Sequence, residues 1–368
     1  MRKYYIDNIR SFIILCLIPF HALMFYTPVH GGGDVTLANM SVSALSGPLL
    51  ILSGTWIMPL LFLNAGVTTL YSLKRRTYGQ YLLERVKKLL LPFAAGMLTV
   101  VPVMFYLSRV SNGTAGDFLT FYKEFVFSPG VKPFCHLWFL IVLFVVSLVG
   151  LPLIMLARKR GWNLPKEKLT FPVLVALVVP LLLLGTYVDI GVSMSMSGAL
   201  VFFLFGYFVF SQDGVVERLV GKRWWLLGAF AVLTAANLAL LASNVNTTYG
   251  FRIAVDQPMY PWFGLVVTWA GILTVLAFSA KYLEFHNGFT EYLSRASFSL
   301  YIFHYCFVML VGCWITSVTD NALVQYVVMV IGATALNFGF YELVRRIPGL
   351  RFLFGISAPK KKKPSVSA

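Results

Sequence analysis

Apolar runs of about 20 residues recur from one end of this chain to the other, and no other feature restricts the fold so strongly. A helix rises about 1.5 Å per residue, so about 20 apolar residues cross about 30 Å of hydrocarbon. Every backbone N–H and C=O is then satisfied within the segment. The runs predict spans near residues 9–28, 47–71, 89–108, 137–157, 169–188, 197–212, 224–243, 260–280, 292–315 and 323–344. Too little chain lies between them for a soluble domain. Composition agrees: 58% of residues are hydrophobic and only 12% charged, whereas a soluble domain is about half apolar and a quarter charged. The expected fold is all-α, a polytopic integral membrane protein of about ten transmembrane helices. Residues 1–346 would form the membrane domain and 347–368 a basic cytoplasmic tail. The first run holds Arg10 and His21 and is followed by no small-residue cleavage site, so it reads as a retained helix rather than a signal peptide.

A net charge of +16 would suggest nucleic acid in a soluble protein. Here topology accounts for it. With the N-terminus placed inside, 26 of the 30 basic residues fall on the cytoplasmic side, and only Arg109, Lys123, Lys132 and Arg252 fall outside. That is the bias of the positive-inside rule, with both termini cytoplasmic in the cell membrane. The Lys360–Lys363 run reads as a solvated tail near lipid headgroups. No nucleic-acid partner is expected. Two further segments stand out. Tyr78–Phe93 (YGQYLLERVKKLLLPF) is amphipathic and basic, suited to an interface. DFLTFYKEFVF, in the long outer segment 109–136, suits a short amphipathic helix over the outer mouth.

Cys16, Cys135, Cys306 and Cys313 do not form a disulfide framework, and no CxxC, HExxH or zinc spacing is present, so no metal is expected. Ionisable groups inside spans are costly and point to function. The first span holds Asp7, Arg10 and His21; His136 opens the fourth, and His304 lies within the ninth. Arg10 and His21 are eleven residues apart, close to three turns, hence on one helix face and about 16 Å apart along the axis. This puts Arg10 at the cytoplasmic edge and His21 near mid-membrane, at a depth similar to His304, with His136 approaching from outside. Asp7 can pair with Arg10 or cap the helix start. His286 and His30 read as ordinary loop residues. A lone intramembrane histidine is as often a helix–helix hydrogen-bonding residue as a reactive one, and Arg10 alone would more often be an interface anchor. His21 is too deep to reach water and needs a polar cavity or a partner.

The segment YIDNIRSFIILCLIPFH, Tyr5–His21, resembles the start of the membrane acyltransferase type 3 family, whose signature is Arg-x10-His in the first helix. Further similar segments follow in order: MPLLFLNAG (Met58–Gly66), ERVKKLLLPF (Glu84–Phe93), HLWFL (His136–Leu140), LFGY (Leu204–Tyr207) and SFSLYIFH (Ser297–His304). The second-helix segment ends Asn64-Ala65-Gly66 where the family usually has Ser-Gly, and Lys87-Lys88 stand where arginine is common. The spelling IPFH leans toward the branch that contains glucans biosynthesis protein C, a succinyl transferase acting on periplasmic glucans. The resemblance implies an O-acyltransferase that moves an acetyl or succinyl group from acyl-CoA to a hydroxyl, usually on a carbohydrate. His21 would be the general base, with Arg10 and Asp7 beside it. Arg85, Lys87, Lys88 and Arg295 would bind the coenzyme A phosphates from the cytoplasmic face. His136, Trp138 and His304 would meet the acceptor. A covalent acyl-histidine would use the same residue. A transporter or flippase for an anionic lipid or sugar would account for the spans and buried polar groups equally well, and so would a scaffold or sensor. A homodimer is compatible with the sequence.

Overall fold

The ten apolar runs all become helical in the computed structural model, which describes residues 3–27, 35–40, 43, 46–130, 132–162, 164–192, 194–243 and 260–356. Among the described residues, eight helical stretches are long and apolar enough to cross a membrane. They comprise α1 (Tyr4–Met24), α2 (Ser46–Leu73), α3–α4 (Tyr78–Arg85 and Leu91–Ser111), α6 (Trp138–Lys159), α11 (Arg223–Ser243), α12 (Tyr260–Tyr282), α13 (Gly288–Ile315) and α14 (Ala322–Val344). Two shorter apolar stretches, Phe171–Leu184 and Met196–Phe210, take the places of the fifth and sixth expected spans. The first divides into α7 (Phe171–Ala176) and α8 (Val178–Leu184), because Pro180 has no N–H for the Ala176 carbonyl. The second is α9 (Met196–Phe205) continued by a π-turn, Gly206–Phe210, and the four-residue α10 (Glu217–Val220) follows it. A small antiparallel hairpin, β1 (Asp189–Val192) and β2 (Met194–Ser195), joins α8 to α9. Outward-facing Leu323, Ile331 and Leu343 on α14 are exposed, the surface a helix presents to lipid rather than water.

Tyr78–Phe93 does not lie apart from the next span. Helix α3 runs through a π-turn at Val86–Leu90 directly into α4. On the opposite side, α5 (Phe118–Phe127) forms where an amphipathic helix was expected. The Asp117 carboxylate caps it by accepting from the Thr120 N–H at 2.8 Å, bonds that hold this carboxyl below its ordinary range. Phe121 buries its ring between Tyr106 and Phe125. Of the tail expected at 347–368, the short helix α15 (Pro348–Leu353) lies against α4 and α14, with Phe354 and Ile356 buried beyond it. Lys360–Lys363, His30, Arg2 and Arg252 lie outside the described residues.

Two contacts fix the frame around α1. At its inner end the N–H groups of Tyr4 and Tyr5 donate to the Glu284 carboxylate at 3.1 and 2.9 Å. A carboxylate there suits the positive end of the helix dipole. Asn8 Nδ2 donates to the carbonyls of Leu283 and Phe285 at 2.7 and 2.8 Å, and Tyr4 stacks on His286 at 4.8 Å. His286, expected to be an ordinary loop residue, is part of that clasp. The second contact is where α2 crosses α9. A Cβ on Gly66 would strike the Phe203 carbonyl oxygen, and a Cβ on Gly206 would strike the Leu63 carbonyl oxygen. Backbone meets backbone there, as small residues allow within membranes. These are the glycines of NAG and LFGY, so two of the sequence motifs meet each other.

Candidate active site

Three helical segments bring three histidines together. His21 lies in the last turn of α1, His136 in a 3-10 turn (Cys135–Leu137) that opens α6, and His304 beyond the middle of α13. The His21 and His304 rings are 5.0 Å apart, those of His136 and His304 5.1 Å, and those of His21 and His136 6.5 Å. All three side chains are buried. Tyr305 stacks on His21 at 4.3 Å. The separate positions read from the sequence are therefore one cluster.

Helix α13 holds the His136 turn in place. His136 Nε2 donates to the Ile302 carbonyl at 2.8 Å, and the Tyr301 hydroxyl donates to the His136 carbonyl. Cys135, directly before it, has φ +46°, a left-handed backbone that non-glycine residues seldom adopt. These bonds also set tautomers. A carbonyl can only accept, so neutral His136 carries its proton on Nε2 and has a lone pair at Nδ1. His304 Nδ1 likewise donates to the Tyr301 carbonyl at 2.7 Å, which leaves the lone pair on Nε2. Those two nitrogens, together with His21 Nδ1, are buried without a hydrogen-bond partner among the described residues. Buried polar atoms are rarely left so. A cluster short of donors suits a guest that brings hydroxyl groups.

Depth differs from the sequence expectation. His21 is not midway along its helix: it lies about 26 Å from Tyr4, and α1 ends at Met24. His304 is about 24 Å from the start of α13 at Gly288. The cluster therefore lies toward the C-terminal end of α1 and past the middle of α13. Trp138 packs on Phe62 and Phe139 at 6.4 Å each, so its ring serves the α2–α6 contact beside the histidines.

The remaining polar residues singled out from the sequence make separate local contacts. Arg10 is 3.4 Å from the Asp7 carboxylate and donates to Ser294 Oγ of α13 at 3.0 Å. Arg295 follows, 3.8 Å from Glu291. Arg85 lies over the Tyr81 ring at 4.7 Å and donates to Thr69 Oγ1 of α2 at 3.3 Å. Lys88 pairs with Glu84 at 2.7 Å, Glu84 also meets Arg76 at 3.1 Å, and Lys87 is exposed. Sequence reading missed Tyr301, Tyr305 and Glu284. The tyrosines stand one turn before and one residue after His304, but only packing turns either toward the cluster. None of the four cysteines forms a disulfide, and among the described residues no group of His, Cys, Asp or Glu has the arrangement to hold a metal ion.

Comparison with known proteins places the chain in one family. Residues 3–342 match the family described as acyltransferase domain, type 3. Glucans biosynthesis protein C of Salmonella heidelberg (strain SL476) is 24% identical over 395 aligned residues, covering 98% of this chain and 97% of that protein. The protein of the same name from Salmonella typhimurium (strain LT2) is 23% identical with the same coverage. No solved structure matches this chain. The chain belongs to the acyltransferase type 3 family and is a multi-pass membrane acyltransferase.

Proposed function

We propose that this protein transfers an acetyl or succinyl group from acyl-CoA to a hydroxyl of an extracytoplasmic carbohydrate, with His21 as general base, in the cell membrane. The observation that carries this reading is the buried cluster of three imidazoles with unpartnered nitrogens. His21 Nδ1 would take the acceptor's proton as its oxygen attacks the thioester carbonyl. The C–S bond then breaks, and the same proton goes to the departing thiolate. The lone pairs of His136 Nδ1 and His304 Nε2 would accept from hydroxyls of the acceptor and orient it. The name of the relatives, glucans biosynthesis protein C, supports a carbohydrate as acceptor. Arg10, ordered by Asp7 and Ser294 one helix face below His21, would meet the donor, with Arg85, Lys87, Lys88 and Arg295 around the inner mouth.

Purified protein given radiolabelled acyl-CoA and a glucan is expected to label the glucan. His21→Ala should lower that rate at least about 100-fold while its melting temperature stays near wild type, since a general base contributes about 10²–10⁴-fold. A variant with a tenth or more of the wild-type rate would remove His21 from that role. Failure to transfer label from any acyl-CoA would favour the transporter reading.

A further inference from the structure

A cavity of about 580 Å³ opens between the inner ends of α1 and α2, a volume suited to a small-molecule site. Lys3, Asp7, Thr68, Lys74, Arg75 and Arg76 are among its lining residues. Most of its charges are already engaged. Lys3 is held by the Gln212 carbonyl at 3.0 Å and Asp213 at 3.5 Å, Asp7 by Arg10, and Arg76 by Glu84. Two cations are not neutralised. Arg75 has no side-chain partner among the described residues, and Lys74 meets only the face of the Tyr71 ring, at 5.8 Å. Topology explains why basic residues lie on this side, and the negative end of the α2 dipole favours them. Neither explains a cavity with two uncompensated cations at its rim.

One turn deeper on the α2 face that carries Thr68 and Tyr71 stands Asn64. It is only 3% exposed, and both Nδ2 and Oδ1 lack hydrogen-bond partners among the described residues. A buried amide with neither its donors nor its acceptor satisfied is costly, and another amide satisfies both at once. A phosphate-binding rim with an amide-binding position beneath it corresponds to a phosphorylated nucleotide that trails an amide-bearing arm.

We propose that the donor's phosphates bind in this inner cavity on Lys74 and Arg75, and that its arm passes between α1 and α2 against Asn64 on the way to His21. This rests on coenzyme A being the donor. It assigns the phosphates to residues other than Arg85, Lys87, Lys88 and Arg295; of these, Lys88 is joined to the cavity's Arg76 through Glu84.

The full chain in phosphatidylcholine nanodiscs is titrated with coenzyme A and with adenosine 3′,5′-bisphosphate, which lacks the arm. The double variant Lys74→Gln, Arg75→Gln should bind both about tenfold or more weakly, the scale of losing charge-assisted contacts. Asn64→Leu, which replaces an unsatisfied amide with an apolar group of similar size, should keep its fold. It should lose several-fold in affinity for coenzyme A and none for the bisphosphate. Unchanged coenzyme A affinity in the double variant overturns the proposal and leaves the donor reading intact. A wild type that binds neither ligand overturns both. Discs containing phosphatidylglycerol separate nucleotide from lipid phosphate. If the double variant loses only its retention of that lipid, the cavity is a headgroup site and the proposal falls.

Discussion

The Tyr301 hydroxyl does its work through the backbone of another residue. It donates to the carbonyl of His136, while His136 Nε2 donates to the carbonyl one residue beyond Tyr301. Together the two bonds hold a histidine whose preceding residue is in a left-handed conformation. Tyr301→Phe leaves the ring and its packing but removes the donor. Stability is expected to fall by about 0.5–1.5 kcal/mol, the net value of one hydrogen bond. If His136 orients the acceptor as proposed, acyl transfer should fall further than stability. Thermal melts and steady-state rates on the same preparation check this. An unchanged rate would mean the turn is held without the hydroxyl. Residue types in spans were legible in the sequence, since Arg10, His21, His136 and His304 break apolar runs. Which nitrogen of each imidazole is available was not, because that depends on carbonyls contributed by another turn or helix.

Helices were the most legible level. Each expected span has an apolar helical counterpart, and the short outer helix at 118–127 lies where its amphipathic pattern put it. The exceptions have physical causes. Pro180 splits the fifth stretch, and the basic segment before α4 continues into it through a π-turn, which hydropathy does not register. Hydropathy also gave no sign that NAG and LFGY face each other. Gly66→Ala or Gly206→Ala should push α2 from α9 at the level of the backbone, where nothing can rotate aside. We expect a loss of about 1–3 kcal/mol or more, seen as a lower melting temperature and less monodisperse protein on size exclusion. Alanine at Gly339, which has open space around it, should change little. Equal effects at all three positions would count against a close crossing.

For the whole molecule, the positive-inside rule predicts an orientation in which α1 runs outward and α6 inward. The inner cations and the outer histidines then lie at opposite ends of one helix, and donor and acceptor are expected to arrive from opposite faces. Cysteine at Lys159 should react with an impermeant maleimide only from the cytoplasmic side, and cysteine at Lys123 only from outside. In sealed, oriented vesicles, product should form with acyl-CoA inside and acceptor outside. Product formed only when both share the cytoplasmic face would sink the crossing arrangement. The clasp on the first turn of α1 has a consequence for substrate choice. Because Glu284 and Asn8 fix the inner end of the helix and His21 sits about 26 Å along it, α1 behaves as a gauge bar of set length. On the roles proposed above, a donor anchored at the inner rim would deliver its acyl carbon to the imidazole only if the span from its phosphates to its thioester matched that bar, so reach, as much as affinity, would separate thioesters on a long arm from those on a short one.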